Sequence, residues 1–115
     1  MVIAASHISP DGLLRLVVDH TDGDITVGFI GYEWHTHGDV LLESSGGRNI
    51  AQAVDDFVSG IVGSRRILAV RKLSGVIADV WPTDDPADDI NGLRRYGAPD
   101  ETIEFRLWDG TPIDG

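Results

Sequence analysis

The residues of this sequence that are best suited to chemistry lie close together in one short stretch. They are Glu33, His35, His37 and Asp39, and each is separated from the next by one residue. Because side chains alternate between the two faces of an extended strand, this spacing places all four on one face. Imidazole and carboxylate groups are ligands for zinc and other divalent metals, and a bound metal can activate a water molecule. The pattern therefore allows a metal-dependent enzyme or a metal-binding protein.

The local conformation of this stretch has two interpretations. If the strand that begins at Ile25 continues without interruption, the polar set lines a pocket at the end of a sheet. If a β-bulge at Gly31 exchanges the two faces, the neighbouring aromatic residues enter the core and the histidines face solvent. Trp34, His35 and His37 are also candidates for contact with a partner protein, since a tryptophan near a strand end can anchor an interface.

A second group of candidates is acidic and lies in a stretch rich in proline, glycine and aspartate. It consists of Asp84, Asp85, Asp88 and Asp89, between Pro82 and Pro99. This composition does not continue a strand, so the sequence predicts a long acidic surface loop at about 82–101. The spacing lacks the alternating ligands and closing glutamate of a calcium loop. A solvated or partner-facing loop is therefore favoured over a calcium site, and these carboxylates are candidates for contact with a partner.

The balance of charge indicates what kind of partner to expect. The chain has 115 residues, 19 of them acidic and 9 basic, for a formal net charge of -10. Such a charge repels nucleic acid backbones and attracts a basic protein, so we expect a basic protein partner and no nucleic acid. The net charge is -6 over residues 1–45, +3 over 46–72 and -7 over 73–115. Without cysteine, thiol nucleophiles, disulfides and cysteine-ligated zinc are excluded.

Neither a targeting signal nor a membrane span is evident. The first residues lack the basic and apolar regions of a signal peptide. No segment approaches the ~18 consecutive apolar residues that a membrane span needs. We therefore expect a cytoplasmic protein that makes no contact with a membrane.

One amphipathic helix is predicted at about 49–62. Apolar residues recur there at the spacing of a single helical face, and polar residues fill the opposite face. Asn49 is suited to cap the first turn, and Gly63 is suited to end the helix in the left-handed conformation.

The remaining segments favour strands. Turn sequences at residues 22–23 and 74–75 predict two hairpins. Alternation along 102–108 predicts a further strand, and short strands are expected at 40–42 and 2–8.

These elements together indicate an α+β fold. Residues 1–115 are predicted to form one domain, an antiparallel sheet of five to seven strands with the helix packed on one face. Since one helix leaves the other face of such a sheet uncovered, a homodimer that buries this face is a further expectation.

The order of these features is similar to that of a known class of proteins. An acidic, cysteine-free domain with hairpin strands, the segment Trp34 to His37, a helix and a second hairpin resembles the small immunity proteins that neutralise bacterial toxins. This resemblance implies binding without catalysis or a cofactor, with acidic loops that meet a basic toxin. The leading hypothesis is a non-enzymatic binding protein, immunity-like or an accessory domain, with a basic protein partner. The alternative is the metal-dependent protein, which would use zinc or another divalent metal.

Overall fold

The structure is a computed structural model that describes residues 3–45 and 49–113. Over these residues the chain forms eight strands and three helices. In chain order they are β1 (Ile3–Ile8), β2 (Arg15–Thr21), β3 (Asp24–Phe29), β4 (His35–His37), α1 (Gly38–Ser45), α2 (Ile50–Val62), β5 (Ile67–Leu73), β6 (Val76–Thr83), α3 (Pro86–Tyr96), β7 (Glu101–Arg106) and β8 (Pro112–Ile113). None of the described helices is long and apolar enough to cross a membrane.

The described strands form two antiparallel sheets of four strands each. The first sheet has the order β1-β2-β3-β4, and the second has the order β6-β5-β7-β8. The predicted α+β class is confirmed, but the single sheet of five to seven strands with one helix is wrong. After α2 each strand pairs with neighbours from its own half of the chain, so a second sheet forms instead of a wider first one.

Both predicted hairpins are confirmed, together with the conformation of their turns. Asp22 and Gly23 have φ angles of 51° and 80°, and Ser74 and Gly75 have the same two values. Two consecutive positive φ angles give the turn whose twist matches that of the paired strands. Glycine adopts the second of these angles without steric cost.

The predicted helix is confirmed as α2, and its first turn is capped as expected. The side chain of Asn49 accepts a hydrogen bond from the backbone N–H of Gln52 at 2.9 Å. The end of the helix differs from the prediction, because Gly63 has a φ of -78°. Its N–H donates to the carbonyl of Ser59 at 2.8 Å, so Gly63 still belongs to the last turn. The left-handed residue is Ser64, with a φ of 57°.

The short strand predicted at 40–42 is wrong, because this segment lies inside α1. A run of three apolar residues does not distinguish a strand from a helix. Leu41 is buried and Leu42 packs against the core, so the apolar side of α1 faces the interior.

The long loop predicted at 82–101 is wrong as well, because most of it forms α3. Asp85 caps the helix by accepting a hydrogen bond from the N–H of Asp88 at 3.1 Å, and Pro86 is its first residue. Proline in the first turn and aspartate at the cap start helices, although both residue types interrupt them elsewhere. Acidic residues in the first turn and Arg94 and Arg95 in the last turn also suit the helix dipole.

One cluster of buried side chains connects both sheets. Its most buried members include Leu16 and Phe29 from the first sheet, Ile61 from α2, and Leu68 and Val80 from the second sheet. We call the side of the first sheet that bears these residues its inner face, and the opposite side its outer face.

We expect α3 to open locally without unfolding of the rest of the protein. None of the described residues of α3 is buried, whereas α2 has five buried residues. Because local opening costs less where little apolar surface is buried, backbone amides in α3 should exchange with deuterium at least about 100-fold faster than those in α2. Hydrogen exchange followed by mass spectrometry measures this difference. Asp85→Ala should speed exchange in α3 alone, and equal protection of the two helices would contradict the expectation.

Candidate functional site

The two histidines lie on the outer face of the first sheet. His35 pairs with Gly28 and His37 pairs with Thr26, in the antiparallel register of β3 and β4. Residues two apart in a strand point to the same side, and the two imidazole rings lie edge to face with their centroids 5.1 Å apart. His35 is exposed and His37 is partly exposed, so both rings are accessible from solvent.

Each histidine is oriented by a hydrogen bond at Nδ1. In His35, Nδ1 lies 2.9 Å from the backbone carbonyl oxygen of Glu33. In His37, Nδ1 lies 3.1 Å from Oδ2 of Asp24. A carbonyl oxygen and an ionised carboxylate accept hydrogen bonds, so Nδ1 of both rings is the donor. The Nε2 atom is therefore the nitrogen of each neutral ring that can accept a hydrogen bond or bind a further group.

The four predicted metal ligands do not converge. Strand β4 has three residues, so its alternation reaches neither Glu33 nor Asp39. Asp39 lies in the first turn of α1, where its Oδ1 accepts a hydrogen bond from the N–H of Val40 at 2.9 Å. Among the described residues, no group of three histidine, cysteine, aspartate or glutamate side chains could hold a metal ion. The metal hypothesis therefore lacks the geometry that it required.

The chain reverses direction around Gly31, which distinguishes the two interpretations of this stretch. Strand β3 ends at Phe29, Gly31 has a φ of 87°, and β4 runs back along β3. The reversal is a turn and not the predicted bulge. The side chains nevertheless point as the bulge interpretation predicted, with the aromatic residues inward and the histidines outward. Tyr32 and Trp34 pack against the core, and His35 is exposed.

Trp34 connects the first sheet to α2 and to the second sheet. Its ring lies 6.4 Å from that of Phe57 in a stacked arrangement and 6.1 Å from that of Phe29. Its backbone N–H donates to Oδ1 of Asp79 in β6 at 3.2 Å. These contacts give Trp34 a structural role, and its contact with a partner stays a prediction.

The acidic residues that precede and begin α3 mostly have partners within the chain. Asp84 forms an ion pair with Arg66 at 3.2 Å, and Asp85 is the helix cap described above. Asp89 accepts a hydrogen bond from the hydroxyl of Thr83. Asp88 is exposed in the first turn of the helix. Three of the four predicted partner-binding aspartates thus help to hold α3 in place, and their contact with a partner stays a prediction.

Four of the seven described lysine and arginine residues outside the first sheet form ion pairs with acidic neighbours. Besides the pair of Arg66, the described ion pairs are Arg71 with Glu101 at 3.1 Å, Lys72 with Glu104 at 3.0 Å and Arg106 with Asp11 at 2.6 Å. Of the basic residues in the middle of the sequence, Arg66, Arg71 and Lys72 are therefore paired within the chain.

Four exposed carboxylates belong to the β2–β3 hairpin and to α1, two elements next to one end of the first sheet. They are Asp22, Asp24, Asp39 and Glu43, which we call the acidic end. The first two belong to the β2–β3 hairpin, and His37 at the end of β4 contacts Asp24 just before α1 begins. No lysine or arginine occurs between Arg15 and Arg48 in the sequence. Among the described residues, the ion pairs of lysine and arginine do not involve these four carboxylates.

A small pocket of about 220 Å³ lies against the strands β2, β3 and β4. We call it the Gly28 pocket. Its lining consists of Val17, Asp19, Thr26, Gly28, Phe29, Ile30, Gly31, Tyr32, Trp34 and His35. The pocket is lined by both apolar and hydrogen-bonding residues, and it adjoins the acidic end through Thr26, which pairs with His37.

The sequence argument did not identify Asp22, Asp24 and Glu43 as binding residues. The local net charge of residues 1–45 was a signal for them, since this segment has seven acidic residues and one basic residue. Which of these seven gather at one end depends on the pairing of β3 with β4, and that pairing is not visible in the sequence.

Compared with known proteins, the chain matches no protein-family model, no curated protein and no solved structure. A functional proposal for it therefore depends on the charge and geometry of its own residues.

Proposed function

We propose that this protein is a non-enzymatic binding protein that engages a basic protein partner through the acidic end. The observation that supports this proposal is the separation of charge in the fold. Four lysine and arginine side chains after residue 62 pair with carboxylates, whereas the four exposed carboxylates of the acidic end take part in none of the described lysine or arginine ion pairs. A surface with one sign of charge raises the rate at which an oppositely charged protein associates.

The resemblance to toxin-immunity proteins adds a class of partner to this proposal. A basic toxin domain would present lysine and arginine side chains, which suit a surface of aspartate and glutamate. The acidic residues near α3 take a smaller part in this proposal than the sequence suggested, because three of them have partners within the chain.

The proposal is tested with two variants of equal net charge. The first changes Asp22→Asn, Asp39→Asn and Glu43→Gln at the acidic end. The second changes three exposed carboxylates elsewhere, Asp55→Asn, Asp56→Asn and Asp100→Asn. Each variant has three fewer negative charges than the native chain, whose net charge is -10. Asparagine also tolerates the positive φ of 51° at position 22, so the turn is kept.

Each protein is used to capture partners from extracts of the source cell, and the captured protein is then purified for affinity measurements. We expect the native chain and the second variant to bind the same basic protein. We expect the acidic-end variant to bind it at least about tenfold more weakly, because several close charge pairs are lost. The affinity of the native chain should also fall at least about tenfold between about 50 and about 300 mM salt.

Light scattering on each free protein is measured first, so that self-association is not mistaken for partner binding. Capture of no basic protein would contradict the proposal. So would equal affinities of the two variants, or an affinity that does not respond to salt.

A further inference from the structure

We infer that His35 and His37 together bind a divalent transition metal ion such as Zn²⁺ through their Nε2 atoms. This inference goes beyond the proposed function, because such a site needs no partner protein. The pair also differs from the four-ligand set expected from the sequence, since neither Glu33 nor Asp39 takes part. Three observations support it: the separation of the two rings, the hydrogen bonds that hold them and the charge around them.

The separation of the two imidazole rings matches that of two ligands on one tetrahedral ion. A zinc ion lies about 2.0–2.1 Å from an imidazole nitrogen, which places it about 3.2 Å from the centroid of the ring. Two rings that share an ion at the tetrahedral angle of about 109° therefore have their centroids about 5.2 Å apart. The centroids of His35 and His37 are 5.1 Å apart, with an angle of 85° between the ring planes. Strand β4 thus already holds the two rings at the distance that a shared ion requires.

The hydrogen bonds at Nδ1 are those that metal-bound histidines commonly have. Nδ1 of His35 donates to the backbone carbonyl of Glu33 at 2.9 Å, and Nδ1 of His37 donates to the carboxylate of Asp24 at 3.1 Å. In metal sites the second ring nitrogen of a ligating histidine usually donates to a carbonyl or a carboxylate, which fixes the tautomer and makes the other nitrogen more basic. Nε2 is therefore the ligand atom of both rings, and Asp24 is a positioning residue for His37.

The position of the pair on the sheet leaves room for the rest of the coordination shell. Strand β4 is at the edge of the described first sheet, and both rings are accessible from solvent. The residue beside His35 in β3 is Gly28, which has no side chain, and His35 also lines the Gly28 pocket. Two protein ligands leave two positions of a tetrahedral ion for water. The ion is therefore exchangeable, unlike one held by four protein ligands.

The charge around the pair favours a cation, and the ligand type selects among cations. His37 contacts Asp24 of the acidic end, and no lysine or arginine occurs between Arg15 and Arg48 in the sequence. A cation is therefore attracted to this end of the sheet, and an anion is repelled. Imidazole nitrogen suits zinc, copper and nickel, whereas magnesium and calcium prefer oxygen ligands. We therefore expect the pair to bind Zn²⁺ and not Mg²⁺.

The site is tested on the isolated protein, prepared without a polyhistidine tag, by nuclear magnetic resonance. Zinc chloride is added to the ¹⁵N-labelled chain, and the ring signals of all 4 histidines are followed. We expect saturable changes at His35 and His37, with the ¹⁵N shift of Nε2 marking it as the ligand atom. His7 and His20 are internal references that should respond little. They cannot share an ion, because His7 pairs with Leu16 and His20 lies four positions farther along β2, about 13 Å away.

Single variants measure the contribution of each ring by titration calorimetry. His35→Gln and His37→Gln should each weaken Zn²⁺ binding at least about tenfold, because loss of a ligand costs at least as much as loss of its hydrogen-bond partner. The matched controls His7→Gln and His20→Gln should change the affinity less than about twofold. Mg²⁺ in about 100-fold excess should not displace the Zn²⁺.

Three results would overturn the inference: equal responses of all four histidines, a loss in His35→Gln no larger than that in His7→Gln, or displacement of Zn²⁺ by Mg²⁺. Each would assign the ion to single histidines or to scattered carboxylates. The ring signals of the native chain remain decisive if a variant does not fold.

The acidic-end variant separates this inference from the proposed function. It retains both histidines and Asp24, so it should bind Zn²⁺ within about threefold of the native chain even though its affinity for the basic partner falls. A tenfold or larger loss of Zn²⁺ binding in this variant would place the ion among the carboxylates and contradict the inference. If Zn²⁺ binds at the two histidines while no basic partner is captured, the proposed function is wrong and the metal site remains.

Discussion

Replacing Trp34 with alanine is expected to lower the free energy of unfolding by about 3 kcal/mol. This value is at the lower end of the range for replacing a buried large aromatic residue with alanine, because Trp34 is partly exposed. The ring packs against Phe29 and stacks on Phe57, and the guanidinium of Arg66 lies 5.2 Å from the centroid of the Phe57 ring. Removal of the indole therefore loosens contacts that join the first sheet, α2 and the start of β5. Urea denaturation followed by far-ultraviolet circular dichroism measures the loss.

Trp81 provides the matched control for this prediction. It is a partly exposed tryptophan in β6 that lines a groove beside α3 and is not a member of the main core cluster. Trp81→Ala should cost less than about 2 kcal/mol, because less of the surrounding packing depends on it. Trp34→Phe keeps an aromatic ring and should fall between the native chain and Trp34→Ala. A loss at Trp34 no larger than that at Trp81 would show that the aromatic stack contributes little.

Replacing Arg106 with methionine is expected to lower the free energy of unfolding by about 2–3 kcal/mol, because three acceptors lose a charged donor. Its Nη1 lies 2.6 Å from Oδ2 of Asp11, its Nη2 donates to the carbonyl of Trp108 at 2.9 Å, and its Nε donates to the carbonyl of Leu107 at 3.0 Å. The side chain is mostly buried, with 13% of its surface exposed. It thus joins the turn between β1 and β2 to the second sheet.

The pKa of Asp11 makes this contribution depend on pH. The hydrogen bond from Arg106 lowers the pKa of Asp11 to about 2, with further hydrogen bonds from Ser9 and Leu13 acting in the same direction and burial opposing them. A carboxylate whose pKa is lower in the folded state stabilises the fold above its ordinary pKa of 3.8. This stabilisation is lost as the pH falls from about 4 to about 2. After allowance for screening by solvent it amounts to about 1 kcal/mol.

A double-mutant cycle measures the coupling between these two side chains. Asp11→Asn, Arg106→Met and the double variant are compared with the native chain by urea denaturation at neutral pH and at about pH 3. We expect a coupling free energy of about 1 kcal/mol or more at neutral pH, which shrinks at the lower pH because Asp11 becomes protonated in the unfolded state. Additive losses at neutral pH, or a coupling that grows on acidification, would contradict the assignment.

Features that depend on neighbouring residues were predicted correctly from the sequence. The two hairpin turns follow from the φ angles that Asp22-Gly23 and Ser74-Gly75 tolerate, and the start of α2 follows from the side chain of Asn49. The helix α3 had signals of the same local kind, since Asp85 and Pro86 suit the cap and the first turn. The overall content of proline, glycine and aspartate outweighed these signals and led to the prediction of a loop.

The candidate site was predicted less well than the fold. Alternation along residues 33–39 placed four possible ligands on one face, but the alternation ends where β4 ends, after three residues. Strand length is set by pairing with β3, which the sequence does not show. The acidic end was missed for the same reason, because its members come from a hairpin and from α1.

By itself, the sequence determined the charge of this protein, the class of its fold, the helix α2 and the two tight turns, since composition and contacts between near neighbours decide all of these. Tertiary structure alone decided which carboxylates stay unneutralised and which aromatic residue holds the sheets together. Asp11 and Arg106 are 95 positions apart in the chain, and Trp34 and Asp79 are 45 apart. Electrostatic interactions and packing act over a few ångströms of space, so contacts between residues so distant in sequence exist only once the chain has folded.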